Sequence, residues 1–327
     1  MLARHREVVV RQRQPEPHVV TLEAEAERAR ASFVGPAPLR TYPGAVLESV
    51  VNVSEGRDRR LVDAIRAAVG TAVLDVHRDE DHHRSVFTIA AADAGRTESA
   101  TRRLVDVAFE SLDLREHDGV HPRFGVVDVV PFVALAATPA DVAVAAAHAF
   151  GDWLARVHAV PVFFYDEAAS DGRTLPAVRQ QAFLALAPDR GPTRRDPRLG
   201  ATAVGARPPL IAVNVELASG DLATAQAIAA SVRERDGGLP GVRALGFPLA
   251  SRGTVQVSMN LVDLGATGLE RACTEVRDRA FAAGVTTRRI ELVGLLPASE
   301  ISRSSEPFLE WAGLGPADTI EARIGAS

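Results

Sequence analysis

Apolar positions recur by twos, then by threes and fours, in an order that the chain runs through twice. Val46–Val53 reads as a strand, and after the polar break Ser54-Glu55-Gly56 a helix carries Leu61, Ile65, Ala68 and Val69 on one face. Gly70 stands where a C-terminal glycine belongs. Ala72–Val76 and Ser85–Ala91 are the next strands, joined by the polar turn His77–Arg84. A helix over about Arg96–Leu112 presents Leu104, Val105, Ala108 and Leu112, and the apolar run Val126–Leu135 follows as a buried strand. The order is βαββαβ, the split βαβ or ferredoxin-like arrangement.

A helix then opens at Thr138-Pro139-Ala140-Asp141, read as a capping box, and runs to about Val157. Val160–Tyr165 is a short strand, Leu175–Leu184 a helix, and Asp189–Gly200 a loop dense in Pro, Gly and Arg. The second round comprises the strand Leu210–Leu217, the helix Asp221–Arg235 and the strands Val242–Leu249 and Thr254–Leu264. A second capping box, Thr267-Gly268-Leu269-Glu270, starts a helix that ends at Gly284, and Arg288–Leu295 closes the unit. We therefore expect an α+β fold of two ferredoxin-like (βαββαβ) subdomains packed together, over residues 45–209 and 210–300, with a ligand cleft between them. Residues 1–44, rich in Arg, Glu and Pro, read as a poorly ordered N-terminal extension, and residues 301–327 as a C-terminal tail.

Composition narrows the chemistry. A net charge of −5 argues against a nucleic-acid surface, and no apolar run reaches the roughly 20 residues of a membrane span. All 37 basic residues are arginine. A Schiff base on pyridoxal phosphate and a P-loop both need a lysine, so both are excluded. Cys273 is the single cysteine; it lies in a helical pattern, reads as core, and leaves neither a disulfide framework nor a thiolate metal site. A reducing cytoplasm fits.

Four stretches could carry chemistry. Glu116–Phe132 (EHDGVHPRFGVVDVVPF) places His121 before a proline and between Gly119 and Gly125, with Arg123 and Asp128 close behind. Pro122 pushes the preceding residue into extended geometry, so the imidazole emerges from a tightly specified turn, either as part of a proton-transfer site or as the capping histidine of a polar hairpin. Asn52, Ser54 and Glu55 occupy a strand-to-helix junction whose backbone N–H groups suit an anionic ligand group, unless Ser54 simply caps the helix. Asp79–Ser85 puts Asp81, His82 and His83 beside Arg84, either as a solvated hairpin turn or as metal ligands with His77 and His121. The last is the loop Gly191, Pro192, Thr193, Arg194, Arg195, Asp196, Pro197, Arg198, Leu199, Gly200, whose arginines suit carboxylates.

Taken in order, NVSEGR (52–57), LDV (74–76), HRSVFT (83–88), GVHPRFGVVDVVPF (119–132), VPVFFYDEAA (160–169), RTLPAVR (173–179), GPTRRDPRLGATAVGAR (191–207), VQVSMNLVDL (255–264) and ELVGLLP (291–297) resemble the glutamate formimidoyltransferases, the formiminotransferase domain of histidine degradation. The resemblance spans roughly residues 45–297. It implies two subdomains meeting near Arg207–Leu210, a folate-binding cleft between them and a homodimer. The cyclodeaminase domain of the animal relatives is not expected. His121 takes the place of the catalytic histidine and Gly191–Gly200 that of the folate-contacting loop, with Arg207 beyond it. Val120, His83 and Leu199 stand where relatives commonly carry glutamate, asparagine and tryptophan.

The implied reaction moves a formimidoyl group from N-formimidoyl-L-glutamate to N5 of tetrahydrofolate, a co-substrate, with no metal. N5 loses a proton as it attacks and the glutamate nitrogen gains one as it leaves, which a histidine near neutral pH can serve. Asp128 or Asp118 would orient the ring, and Arg84, Arg123 and Arg207 would meet the carboxylates. Two other readings stay open: a metal-dependent hydrolase built on the Asp-His-His cluster, and a non-catalytic folate-binding protein.

Overall fold

A computed structural model describes residues 44–118, 123–218 and 221–326. The expected N-terminal extension lies outside the described residues but for its last position, Gly44, and so do His121 and Pro122. The first sheet has six strands: β1 (Val46–Val53), β2 (Val73–Asp79), β3 (Arg84–Ala90), β4 (Val127–Leu135), β5 (Val162–Asp166) and β6 (Thr202–Ala206). Their spatial order is β2-β3-β1-β4-β6-β5, antiparallel as far as β4 and parallel beyond it. Helices α1 (Arg59–Val69), α2 (Ala94–Ser111) and α3 (Ala140–His158) follow β1, β3 and β4, and α4 (Leu175–Gln181) follows β5.

The second sheet runs β10-β7-β9-β8, all antiparallel. Its strands are β7 (Ile211–Leu217), β8 (Val242–Leu249), β9 (Thr254–Leu261) and β10 (Thr287–Val293), with α5 (Leu222–Val232) and α6 (Leu269–Ala282) between them. Strand order β2-β3-β1-β4 in the first unit and β8-β9-β7-β10 in the second is the same ferredoxin-like order, as the two βαββαβ rounds predict.

Alternation decides which face of each sheet meets its helices. In β1, Leu47, Val51 and Val53 are fully buried in the core shared with Ile65, Leu104 and Phe150, while Glu48, Val50 and Asn52 project from the other face. In the second unit Val213, Val215, Val257 and Met259 pack on Ile228 and Val276. Cys273 is fully buried there, and burial pushes its thiol up, so it is a small core residue.

β6 is absent from the pattern of alternation because all of its residues are small and buried on both faces. A Cβ on Gly205 would meet the ring of Tyr165 at 2.4 Å, so glycine is what lets this strand lie beside β5. Both expected capping boxes are corrected. The cap of α3 is Pro139, and the Thr138 hydroxyl instead accepts the Val46 N–H at 2.9 Å. The cap of α6 is Gly268; Glu300 accepts the Leu269 N–H, and Glu270 accepts both the N–H and the hydroxyl of Ser305. Beyond residue 297 the chain forms α7 (Ala298–Arg303), α8 (Glu306–Ala312) and α9 (Ile320–Ala326). Phe308 packs in the second core, and Ile320 reaches back to Leu74 and Ala90 of the first unit.

The loop before β6 interlocks with the start of β4 through two glycines. A Cβ on Gly125 would stand 2.1 Å from the Ala201 carbonyl oxygen, and one on Gly200, whose φ is +79°, 2.6 Å from the Gly125 Cα. Gly125→Ala is expected to cost about 1–3 kcal/mol of stability through forced displacement, measured by urea unfolding. Gly315→Ala, with nothing within 4 Å, should change little, and equal stability of the two variants would refute the close approach.

Candidate active site

The polar faces of the two sheets oppose one another and enclose a cavity of about 210 Å³. The first unit contributes Glu48, Asn52, His77, Asp79, Arg84 and Thr88 from β1–β3, together with Tyr165, Asp166 and Arg207. The second contributes Asn214, Arg243, Phe247, Ser258 and Asn260. Two contacts between the units lie at the β2–β3 turn: Asp81 accepts the N–H and hydroxyl of Ser251, and His82 meets Phe247 edge-on at 5.1 Å.

Of the residues predicted to bind substrate, Asn52, Arg84 and Arg207 line this cavity, as do His77 and His82 of the metal reading. Arg84 is held from both sides: its Nε donates to Asn52 Oδ1 at 3.0 Å, and its Nη1 lies 4.0 Å from Asp128. Burial brings its pKa down to about 10, opposed by Asp128 and aided by Arg179, so the guanidinium stays charged at neutral pH. Asp128 is buried behind the cavity wall, ion-paired with Arg179, and accepts the Phe124 N–H at 2.5 Å. Burial would push its carboxyl up; Arg179, Arg84 and these hydrogen bonds outweigh that and hold it below the usual carboxylate range.

Ser54, Glu55, His83 and Arg123 gather beside the histidine turn. The Ser54 hydroxyl donates to the Gly125 carbonyl, so Ser54 does not cap α1; Asp58 does, accepting from Arg60 and Leu61. The N–H groups of Arg57 and Asp58 donate to Glu55 Oε1, so these junction donors are occupied within the protein. Glu55 also faces His83 Nε2 at 3.2 Å. His83 adopts a left-handed backbone (φ +50°) that lays its ring on His117, centroids 4.1 Å apart. His117 Nε2 donates to the His83 carbonyl at 2.8 Å. Burial lowers the His117 pKa, and the neighbouring His83 and Arg123 add to the fall, against that hydrogen bond, which acts to raise it. Arg123 donates to the His117 carbonyl, and Asp118 pairs with Arg57.

The loop Gly191–Gly200 lies against Phe109, Phe124 and Gly125 and is not part of the cavity wall. Arg195 donates to the Phe124 carbonyl at 2.7 Å and Arg198 to that of Phe109. Asp196 accepts the N–H groups of Arg198 and Leu199, and Leu199 accepts that of Val126. Gly191, Pro192, Thr193, Arg194 and Pro197 are exposed.

The Asp-His-His residues do not converge. Asp81 turns to Ser251, His82 to Asp79, and His83 to Glu55. Burial would raise Asp79, but the hydrogen bonds from His82 bring it down to about 2. His77, Asp79 and Glu291 do come within 4.8 Å of one another, yet Asp79 is engaged by His82 and Glu291 by Asn214 and Arg289. Glu48, Tyr165, Asp166, Arg243 and Asn260 are cavity residues that motif reading passes over. The one available signal was Glu48 and Asn52 standing in phase as polar positions of one face of β1, a strand whose only other polar residue is Ser49.

Comparison with known proteins bears on the whole described region. The formiminotransferase domain, N-terminal subdomain, matches residues 46–207, and the formiminotransferase domain matches residues 212–316. The chain is 35% identical to a glutamate formimidoyltransferase of Thermoplasma acidophilum, over 86% of this chain and 97% of that protein. It is 33% identical to one of Streptococcus pyogenes, over 81% and 93%. Identity to a formimidoyltransferase-cyclodeaminase of Sus scrofa is 36%, over 81% of this chain and 52% of that protein. With two matched subdomains in order, each carrying one ferredoxin-like sheet and together enclosing a cavity, the chain belongs to the formiminotransferase family and is a one-carbon-group transferase.

Proposed function

We propose that the protein transfers a formimidoyl group from N-formimidoyl-L-glutamate to N5 of tetrahydrofolate in the cavity between the sheets, with His121 as general acid and base. Residues 45–209 and 210–300 then act as the two walls. The observation that carries this reading is Arg84: a charged guanidinium in the cavity wall, held by Asn52 and Asp128, and adjacent in sequence to His83, whose ring packs on His117. A fixed guanidinium suits a carboxylate of the glutamate moiety, because its orientation is set before the ligand arrives. Arg207, also in the wall, offers a second. Arg123 and Arg195 donate to the backbone carbonyls of His117 and Phe124, so the exposed Arg194 is the loop cation with most freedom to meet the folate's glutamate tail.

The chemistry needs one group that takes the proton from N5 and delivers one to the departing glutamate nitrogen. An imidazole, whose ordinary pKa lies near neutrality, can supply both, and the reaction so written needs no metal. The test is to incubate the purified protein with N-formimidoyl-L-glutamate and tetrahydrofolate and follow 5-formimidoyltetrahydrofolate, with N-formyl-L-glutamate as the competing donor. Product from the formimidoyl donor is expected. Product only from the formyl donor would reassign the substrate, and tetrahydrofolate binding without turnover of either would leave a folate-binding protein.

A further inference from the structure

Glu48 sits on β1 in register with Ala90 and Val133, on the face turned toward the cavity. It is 4% exposed, and no hydrogen bond or ion pair from a described residue is found at its carboxylate. Burial pushes the carboxyl up to about 7, with Arg207 pulling it down and Glu321 adding to the rise. Arg207 spends one nitrogen on the Pro208 carbonyl and stands beside the Tyr165 hydroxyl, which burial keeps protonated. The Thr88 hydroxyl, one strand over and also in the cavity wall, is buried without a hydrogen-bond partner. A buried carboxylate without donors is costly to the free protein and is expected where a ligand completes it.

A carboxylate only accepts, and its two oxygens match a pair of parallel N–H donors, as in a guanidinium–carboxylate fork. Of the two proposed substrates, the glutamate moiety brings carboxylates that Glu48 would repel. The pterin brings such a donor pair in the N3–H and 2-amino group of its pyrimidinone edge. The formimidoyl carbon also carries N–H groups, but it reacts at the histidine end of the cavity. Glu48 lies four residues from Asn52 on the same face of one strand, about 13 Å along it, away from that end.

We propose that Glu48 is the residue that binds the 2-amino-pyrimidinone edge of the pterin and so sets which end of tetrahydrofolate enters the cavity. This rests on the reading that tetrahydrofolate binds between the sheets. The test measures equilibrium binding of tetrahydrofolate and of its 2-desamino-2-methyl analogue to wild type and to Glu48→Gln. Glutamine keeps the shape and removes a buried charge, so the variant folds, as a melting curve verifies. Tetrahydrofolate is expected to bind Glu48→Gln about 10–100-fold more weakly, and wild type to bind the analogue more weakly by a similar factor. The variant should show no further loss with the analogue, because the pair is already broken. Undiminished tetrahydrofolate binding by Glu48→Gln, or equal losses for both ligands, overturns the proposal. A raised KM for the formimidoyl donor with unchanged tetrahydrofolate affinity also overturns it, and assigns the carboxylate to the formimidoyl group. Failure of wild type to bind tetrahydrofolate at all would overturn the parent reading, whereas failure of the Glu48 arm alone leaves that reading standing.

Discussion

His121→Asn is expected to lower the turnover number by about 10²–10⁴-fold, or roughly 3–5 kcal/mol of barrier, while tetrahydrofolate affinity changes little. Asparagine keeps polarity and approximate size but cannot accept a proton at neutral pH. The wild-type rate should fall on acidification as the imidazole protonates, and that limb should be missing from the variant. His121 itself lies outside the described residues, whereas His117, four residues before it, is described. His117 donates to the His83 carbonyl, its own carbonyl accepts from Arg123, and its ring lies on His83. His117→Asn is therefore the control. It loses the contacts with His83 but no reacting group, and should cost far less in turnover than His121→Asn. Near-normal turnover of His121→Asn would make His121 structural and shift the search for the base to His83.

Asp128→Ala is expected to destabilise the protein by about 3–5 kcal/mol, since it removes the buried carboxylate that pairs with Arg179, lies near Arg84 and accepts the Phe124 N–H. Asp128→Asn keeps an acceptor for that N–H and should lose less. The folded-state pKa of Asp128 is depressed, so its contribution is present above the unfolded value and is lost as pH falls through the folded one. The gap between wild type and Asp128→Ala should accordingly hold from pH 7 to 5 and narrow below about pH 4. Guanidinium unfolding at several pH values measures it, and a loss below about 1 kcal/mol at pH 7 would show the cluster to be dispensable. Because Arg84 lines the cavity, the same variant should also weaken donor binding.

Much of the architecture could be read from local pattern. Each strand and helix buries one face in the core, and a face with a fixed period leaves its mark on neighbouring residues. Val46–Val53 and Val242–Leu249 have the bounds that alternation predicts, and the two ferredoxin-like rounds follow from their order. β6 escaped because a strand buried on both faces and built from small residues has no period.

The caps failed for another reason. The Thr138 hydroxyl and the Glu270 carboxylate have local partners within reach, yet each serves a group far along the chain, Val46 and Ser305. The same competition fills the junction after β1, where Glu55 takes the N–H groups that a ligand might have used. Sequence by itself determined the repeated fold. Which polar residues share a cavity was decided only by the tertiary structure. Glu48, Asn52, Arg84, Arg243 and Asn260 all project from the sheet faces turned away from the helices, and a strand's period says that such a face is polar, not what it meets. Only the packing of one sheet against the other determines whether those side chains look into water or into an enclosed site.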